Sequence, residues 1–213
     1  EGLRIGLLSD LHATGGRSIS VAHRAATMLM AERPEMIAVT GDFAEDERGL
    51  RAVIRALAGL RAPLGVYAVP GNHDHVAGID AWHALVKRAE WLQDLTNRYV
   101  RVEKGGARLC IGGVDDLYEG EPRLLLPPPG SRDFTLLLAH TPDQAEHCRR
   151  AYDDVDLVVS GHTHGGQIRL PFLPAPVNTA RHRELYENGL RRRPWTQVYT
   201  SRGLGTSGLP LRF

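Results

Sequence analysis

Apolar residues along the chain follow two rhythms. Short unbroken runs at Ile5 to Leu8, Met36 to Val39, Val66 to Val69, Leu136 to Ala139 and Leu157 to Val159 are too brief for helices and predict strands. Between them apolar positions return at helical spacing, first Val21, Ala25, Met28 and Leu29, then Leu50, Val53, Ile54, Leu57 and Leu60, then Ile79, Trp82, Val86 and Ala89. Strands that are apolar without alternation, joined by helices, predict a mainly parallel sheet covered on both faces, hence an α/β layered fold. A further helix start is marked by Thr141-Pro142-Asp143-Gln144, with Thr141 as N-cap, Pro142 in the first helical position and Gln144 placed to close a capping box.

Elsewhere the pattern is weaker. Val100 to Ile111 reads as one or two extra strands, Leu124 to Gly130 as a Leu-Pro loop and Gln197 to Ser201 as a last strand. Pro171, Pro174 and Pro176 interrupt an apolar stretch, and Arg181 to Arg193 is rich in arginine. With no repeat and no linker, the 213 residues are expected to form a single domain over 1–213, large enough to bury a core without staples. A 42% apolar and 24% charged composition is that of a globular protein. The formal charge of +1 argues against bulk nucleic acid as partner. Cys110 and Cys148 are expected to be reduced and buried, acting as small hydrophobes. No apolar run approaches the roughly 18 residues of a membrane span. A leader or anchor ahead of Glu1 is compatible with this, so localisation stays open, and a monomer is expected.

The chemistry is concentrated at the strand ends. Ser9-Asp10-Leu11-His12, Thr40-Gly41-Asp42, Pro70-Gly71-Asn72-His73-Asp74, Ala139-His140 and Ser160-Gly161-His162-Thr163-His164 all stand directly after predicted strands. In open parallel sheets, sites form beyond the carboxyl ends of the strands, so these segments are expected to converge. Of the ten histidines, His12, His73, His140, His162 and His164 occupy such turns; His23, His83 and His147 fall on predicted helices, and His75 and His182 in loops. A lone histidine in a turn is ordinarily a satisfied polar group, but five placed alike with two Asp and an Asn point to a metal site. Nitrogen and oxygen donors without thiolate suit manganese, iron or zinc, and the seven left when His73 is set aside are too many for one tetrahedral ion. Gly41, Gly71, Gly161, Gly165 and Gly166 beside them permit tight turns. Ser9 and Ser160 are expected to hydrogen-bond those turns rather than to act as nucleophiles, and Gly203 to Gly208 lacks the lysine of a phosphate-binding loop.

The strings D-L-H, G-D, G-N-H-D, an isolated H and G-H-T-H, in this order from residue 9 to 167, resemble the calcineurin-like metallophosphoesterase superfamily. The ending Gly161 to Gln167, with Ser201 to Phe213, is similar to a bacterial branch often attached to membranes, which includes hydrolases similar to UDP-diacylglucosamine pyrophosphatases. The resemblance implies two sheets sandwiched between helices. It also implies two metal ions, one held by Asp10, His12, Asp42 and His164, the other by Asp42, Asn72, His140 and His162, with Asp42 shared.

Such a centre would present a metal-bridging hydroxide to a phosphate ester clamped in line. His73, not needed as a ligand, is left to assist the leaving oxygen, with Asp74 fixing its tautomer. The expected substrate is a phosphodiester or pyrophosphate, lipid-linked or nucleotide-containing, with peripheral membrane contact through the Pro171 to Val177 loop and the arginines Arg181, Arg183, Arg191, Arg192 and Arg193. The alternatives are a phosphomonoesterase or protein phosphatase and, from another class, a non-catalytic metal-binding scaffold.

Overall fold

The structure, a computed structural model, describes residues 2–126, 133–151, 155–168, 180–208 and 211, without the side chains of 148–151, 183 and 184. The loop expected over Pro171 to Val177, the end of the one over Leu124 to Gly130, and the Cys148 and Arg183 side chains lie outside the described residues.

Among the described residues, ten strands form two sheets. The first is wholly parallel, in the order β1 (Ile5–Leu8), β2 (Met36–Thr40), β3 (Val66–Val69) and β4 (Gln93–Asp94), with Ile5 level with Met36 and Ile37 with Val66. The second comprises β5 (Arg98–Lys104), β6 (Ala107–Gly113), β7 (Phe134–Leu138), β8 (Leu157–Ser160), β9 (Gly189–Arg192) and β10 (Gln197–Thr200), in the order 5-6-7-8-10-9. Its inner pairs are parallel and its two outer pairs antiparallel. Helices α1 (Gly16–Ala31), α2 (Glu47–Ala56) and α3 (Asn72–Arg88) connect the first sheet; α4 (Gln144–Ala151) and the short α5 (Arg183–Tyr186) accompany the second. The architecture is the expected helix-sheet-sheet-helix sandwich.

The unbroken apolar runs are explained by burial on both faces. Along β2, Ile37 and Val39 point into the cluster beneath the helices, while Met36 and Ala38 point between the sheets. In β3, Val66 and Ala68 divide from Tyr67 and Val69 in the same way. Leu136 and Leu138 of β7 close the inter-sheet layer, and Leu137 with Val158 of β8 lies on the far side among Ala145, Tyr186 and Val198.

Helix α2 is as the spacing predicts. Leu50, Val53 and Ile54 are buried, and Asp46 caps its start by accepting from Gly49 N at 2.6 Å. On α1 the stripe is rotated from the expected one. Ala22 and Ala26 are buried, with Leu29 against them, whereas Val21 and Met28 are exposed. The small alanines let α1 lie close to β1, where a Cβ on Gly6 would stand 2.8 Å from Leu29. The N-cap expected at Thr141 is not made either. Its hydroxyl donates to Asp116 instead, at 3.2 Å, and the helix begins at Gln144. Cys110 is buried, as expected.

Candidate metal centre

The carboxyl ends of β1, β2, β3, β7 and β8 deliver the five motifs to one place. The turn after β1 is laced to the turn after β2: Asp10 N donates to Gly41 O, Leu11 N and His12 N both donate to Asp42 O, and Ala13 N to Phe43 O, all at 2.8–3.0 Å. Gly161 N donates to His140 O at 2.9 Å, joining the turns after β7 and β8. Leu204 N and Gly205 N reach back to the carbonyls of Ser9 and Asp10, so the glycine-rich C-terminal segment buttresses the first turn. The Ser9 and Ser160 hydroxyls, expected to bond these turns, have no hydrogen-bond partner among the described residues.

These bonds hold backbone that is locally unfavourable. Asp10, His12, Asp42, His162 and His164 all have positive φ, between 43° and 70°, a region costing side-chain-bearing residues about 1 kcal/mol or more and tolerated best by Asp, Asn and His. The ligand candidates are thus placed by the turns. Their neighbours must be small: a Cβ on Gly71 would collide with Asp42 Oδ1, and one on Gly161 with Asp10 Oδ2. We expect Gly161→Ala to displace Asp10 without removing any donor atom and to weaken metal affinity about 10- to 100-fold, the range for disturbing a ligand's support. Titration of the apo protein with manganese, read by calorimetry, measures it.

Side chains converge in overlapping groups. Asp10, His12 and His164 form one, Asp42, His140 and His162 another, and Asp42 also joins His12 and His73, each group with donor atoms within 4.8 Å of one another. Asn72 Oδ1 stands 3.1 Å from both His140 Nε2 and His162 Nδ1. Asp42 Oδ2 is 3.2 Å from His140 Nε2 and 3.4 Å from His12 Nε2.

The electrostatics follow from crowding. Burial works against the charge of Asp42, yet His140, His12 and His73 hold it below the ordinary carboxylate range. Burial also opposes protonation of His140, but Asp42 and, more weakly, Asp10 and Asp116 draw it up to about 10. His162 is pushed down to about 4 by burial and by His140.

The residues fit the ions that the resemblance implies. His140 Nδ1 donates to Thr40 O at 2.8 Å and His12 Nδ1 to Glu45 Oε1, which orients both rings and turns their Nε2 atoms inward. There they meet carboxylate oxygens and the Asn72 carbonyl, with His164 Nε2 at 2.9 Å from His12 Nε2. Asp10 Oδ2, buried, has no hydrogen-bond partner among the described residues. Lone pairs facing lone pairs in a buried pocket need a cation between them, and the proton drawn to His140 competes for the position a metal would take.

His73 stands beside this cluster rather than inside its densest part. Its backbone N donates to Asp42 Oδ1 at 2.9 Å, and its ring makes an edge contact with His12 at 4.7 Å. The partner of its Nδ1 is Glu45 Oε2 at 2.8 Å, not Asp74. Asp74 instead accepts from Phe43 N and Gly71 N, both at 2.9 Å, tying the turns after β2 and β3; helical geometry from Asn72 onward points it back at those amides. Burial and the nearby Asp42 push Asp74 up to about 7. Bonds from His12 and His73 hold Glu45 down at about 2, and the Glu45 bond raises His73. Sequence reasoning missed Glu45. The available signal was an acid three residues beyond Asp42, at the head of the acidic run Glu45-Asp46-Glu47.

Two clefts flank the centre. One, of about 800 Å³, is bordered by His12, Glu45, Arg17 and Leu204; the other, of about 690 Å³, by Tyr118, Asp143, Arg181 and His182. Arg193 stacks on Trp195 at 4.7 Å and reaches Glu146 at 3.4 Å, while Arg191 and Arg192 lie exposed on the edge strand β9. No helix among the described residues is long and apolar enough to cross a membrane.

Comparison with known proteins agrees with the motifs. The chain is 33% identical over its whole length to an uncharacterized metallophosphoesterase, YkuE, of Bacillus subtilis, covering 76% of that protein. It is 28% identical over 95% of its length to the phosphodiesterase YaeI of Escherichia coli, covering 75% of it. A transmembrane protein with a metallophosphoesterase domain from Danio rerio is 30% identical over the whole chain, which spans 51% of that relative. Among solved structures, TT1561 of Thermus thermophilus superposes over 95% of this chain and 91% of its own with a TM-score of 0.62 at 15% identity, a likeness of fold. The calcineurin-like phosphoesterase family model matches residues 3–166, so this chain belongs to the calcineurin-like phosphoesterases.

Proposed function

We propose that the chain hydrolyses a phosphodiester or pyrophosphate bond at a two-metal centre. Asp10, His12, Asp42 and His164 would hold one ion and Asp42, Asn72, His140 and His162 the other. The carrying observation is that Asp42 belongs to ligand groups on both sides of the pocket, with a hydrogen-bonded His73–Glu45 pair beside it. Bound ions supply positive charge to the phosphoryl oxygens and acidify water. The protein's own groups do the rest. His73 Nε2 passes a proton to the leaving oxygen while Nδ1–H stays bonded to Glu45, so the ring keeps its orientation through the transfer. Glu45 serves His12 and His73 together and therefore couples the leaving-group side to the first metal site.

The phosphodiesterase name of one relative favours diesters over monoesters. We expect the manganese-loaded protein to turn over bis(para-nitrophenyl) phosphate with a kcat/KM at least about tenfold above that for para-nitrophenyl phosphate. A reversed ratio would make the chain a phosphomonoesterase, and metal binding without turnover of either ester would make it a scaffold.

A further inference from the structure

Between β6 and β7 the chain from 114 to 121 has no regular structure, yet it is held by side-chain acceptors. Asp116 Oδ1 accepts from Tyr118 N and Glu119 N at 2.9 Å each, and Asp115 Oδ2 accepts from Glu121 N at 3.0 Å. Asp115 Oδ1 takes Asp116 N at 2.8 Å and His75 Nε2 at 2.7 Å, and Asn97 Oδ1 takes Asp115 N at 3.0 Å. So many bonds in a loop fix one conformation.

What that conformation presents is Tyr118. Its ring lies 5.6 Å from the ring of His162, tilted by 39°, and the residue remains 42% exposed. Its hydroxyl donates to Asp143 Oδ2 at 3.2 Å. Asp143, 3% exposed, also accepts from Arg181 N, His182 N and His182 Nδ1 at 2.7–2.9 Å, so the phenol is anchored to a carboxylate that is itself fully engaged. A tyrosine used for packing would be covered; this one is clamped at its hydroxyl and through its backbone, and it lines a cleft beside His162.

The cleft beyond it carries a cation not spent elsewhere. Arg181 has no ion-pair partner among the described residues, whereas Glu146 is engaged by Tyr186 Oη at 2.5 Å and by Arg193. The opposite cleft is bordered by Glu45, the partner of His73. With His73 as the acid of the proposed function, the leaving group belongs on that side, and the substituent that stays on phosphorus belongs on the Tyr118 side.

We propose that Tyr118 is a specificity-determining platform on which a flat, ring-bearing substituent of nucleoside type, retained on phosphorus, stacks. This rests on the site acting on phosphate esters. Stacking on an aromatic face tolerates any ring and is worth roughly 5- to 150-fold in affinity per ring.

Two substrates with the same leaving group isolate the effect: the para-nitrophenyl ester of thymidine monophosphate, and methyl para-nitrophenyl phosphate. The wild-type protein should favour the first in kcat/KM by about tenfold or more, and Tyr118→Ala should collapse that ratio through KM, whereas Tyr118→Phe, which keeps the ring, should preserve most of it. A ratio unchanged in Tyr118→Ala, or never above one in the wild type, overturns the proposal. A structural lesion would lower both rates and leave the ratio intact, which likewise counts against it. Calorimetric binding of thymidine monophosphate against methyl phosphate to the manganese-loaded protein separates this from the catalytic reading. Tighter nucleotide binding that Tyr118→Ala abolishes sustains the platform even if neither ester is hydrolysed; equal binding with no hydrolysis removes both.

Discussion

Asp42→Asn is expected to cost the protein both metal ions and nearly all of its turnover. The carboxylate lies within reach of His140 Nε2 through Oδ2, approaches His12 Nε2 with the same oxygen, and accepts the His73 amide on Oδ1. An asparagine has one acceptor oxygen and presents in place of the other an NH2 group, which has no lone pair to offer a cation. It also removes the negative charge that would offset two cations in a pocket where Asp42 is 2% exposed. Losing only an outer partner of a metal ligand costs about 10- to 100-fold, so the shared ligand should exceed about 100-fold in both metal affinity and kcat/KM. Elemental analysis of the purified variant, with turnover in added manganese, reads both. Retention of two ions and wild-type turnover would end the shared-carboxylate assignment.

The second large effect is expected at His73. His73→Ala should keep both ions yet lower kcat by about 100- to 10,000-fold, the range for a lost general acid or base, with a smaller loss on esters of acidic phenols than on alkyl esters. The leaving-group dependence is the diagnostic part, because a good leaving group needs no proton. Since Nδ1 is bonded to Glu45, Glu45→Gln should show the same dependence in milder form, together with weakened metal binding through His12. One geometric fact makes the alternative concrete: His73 shares a potential ligand group with His12 and Asp42. If His73→Ala loses an ion, His73 is a ligand and the proton must come from elsewhere.

Much of this molecule is determined by its sequence alone, because the determining interactions are local or periodic. Five apolar runs had to be strands, and the strands had to be buried on both faces, since nothing polar interrupts them. Once strands alternate with helices, their carboxyl ends share one edge, and the residues from Asp10 to His164 that stand there had to meet. The resemblance to a phosphoesterase family was carried by the same five turns.

Tertiary structure alone decided the rest, in each case because the partner is distant in sequence or the signal is weak in composition. Which face of α1 is buried depended on Ala22 and Ala26, whose small side chains register in no apolar pattern but admit the close approach of β1. Strand β9 escaped notice because an edge strand made of Gly189, Leu190, Arg191 and Arg192 buries almost nothing. The orienting carboxylate of His73 could not be chosen by adjacency. Asp74 is next in sequence, but the helical turn starting at Asn72 aims it at two backbone amides, while the chain laced between the first two strand-end turns swings Glu45 across to both His12 and His73. Tyr118 was equally silent in the sequence. Only the hydrogen-bonded loop that carries it, and the ring of His162 beneath it, bring an ordinary surface tyrosine to the edge of the metal pocket.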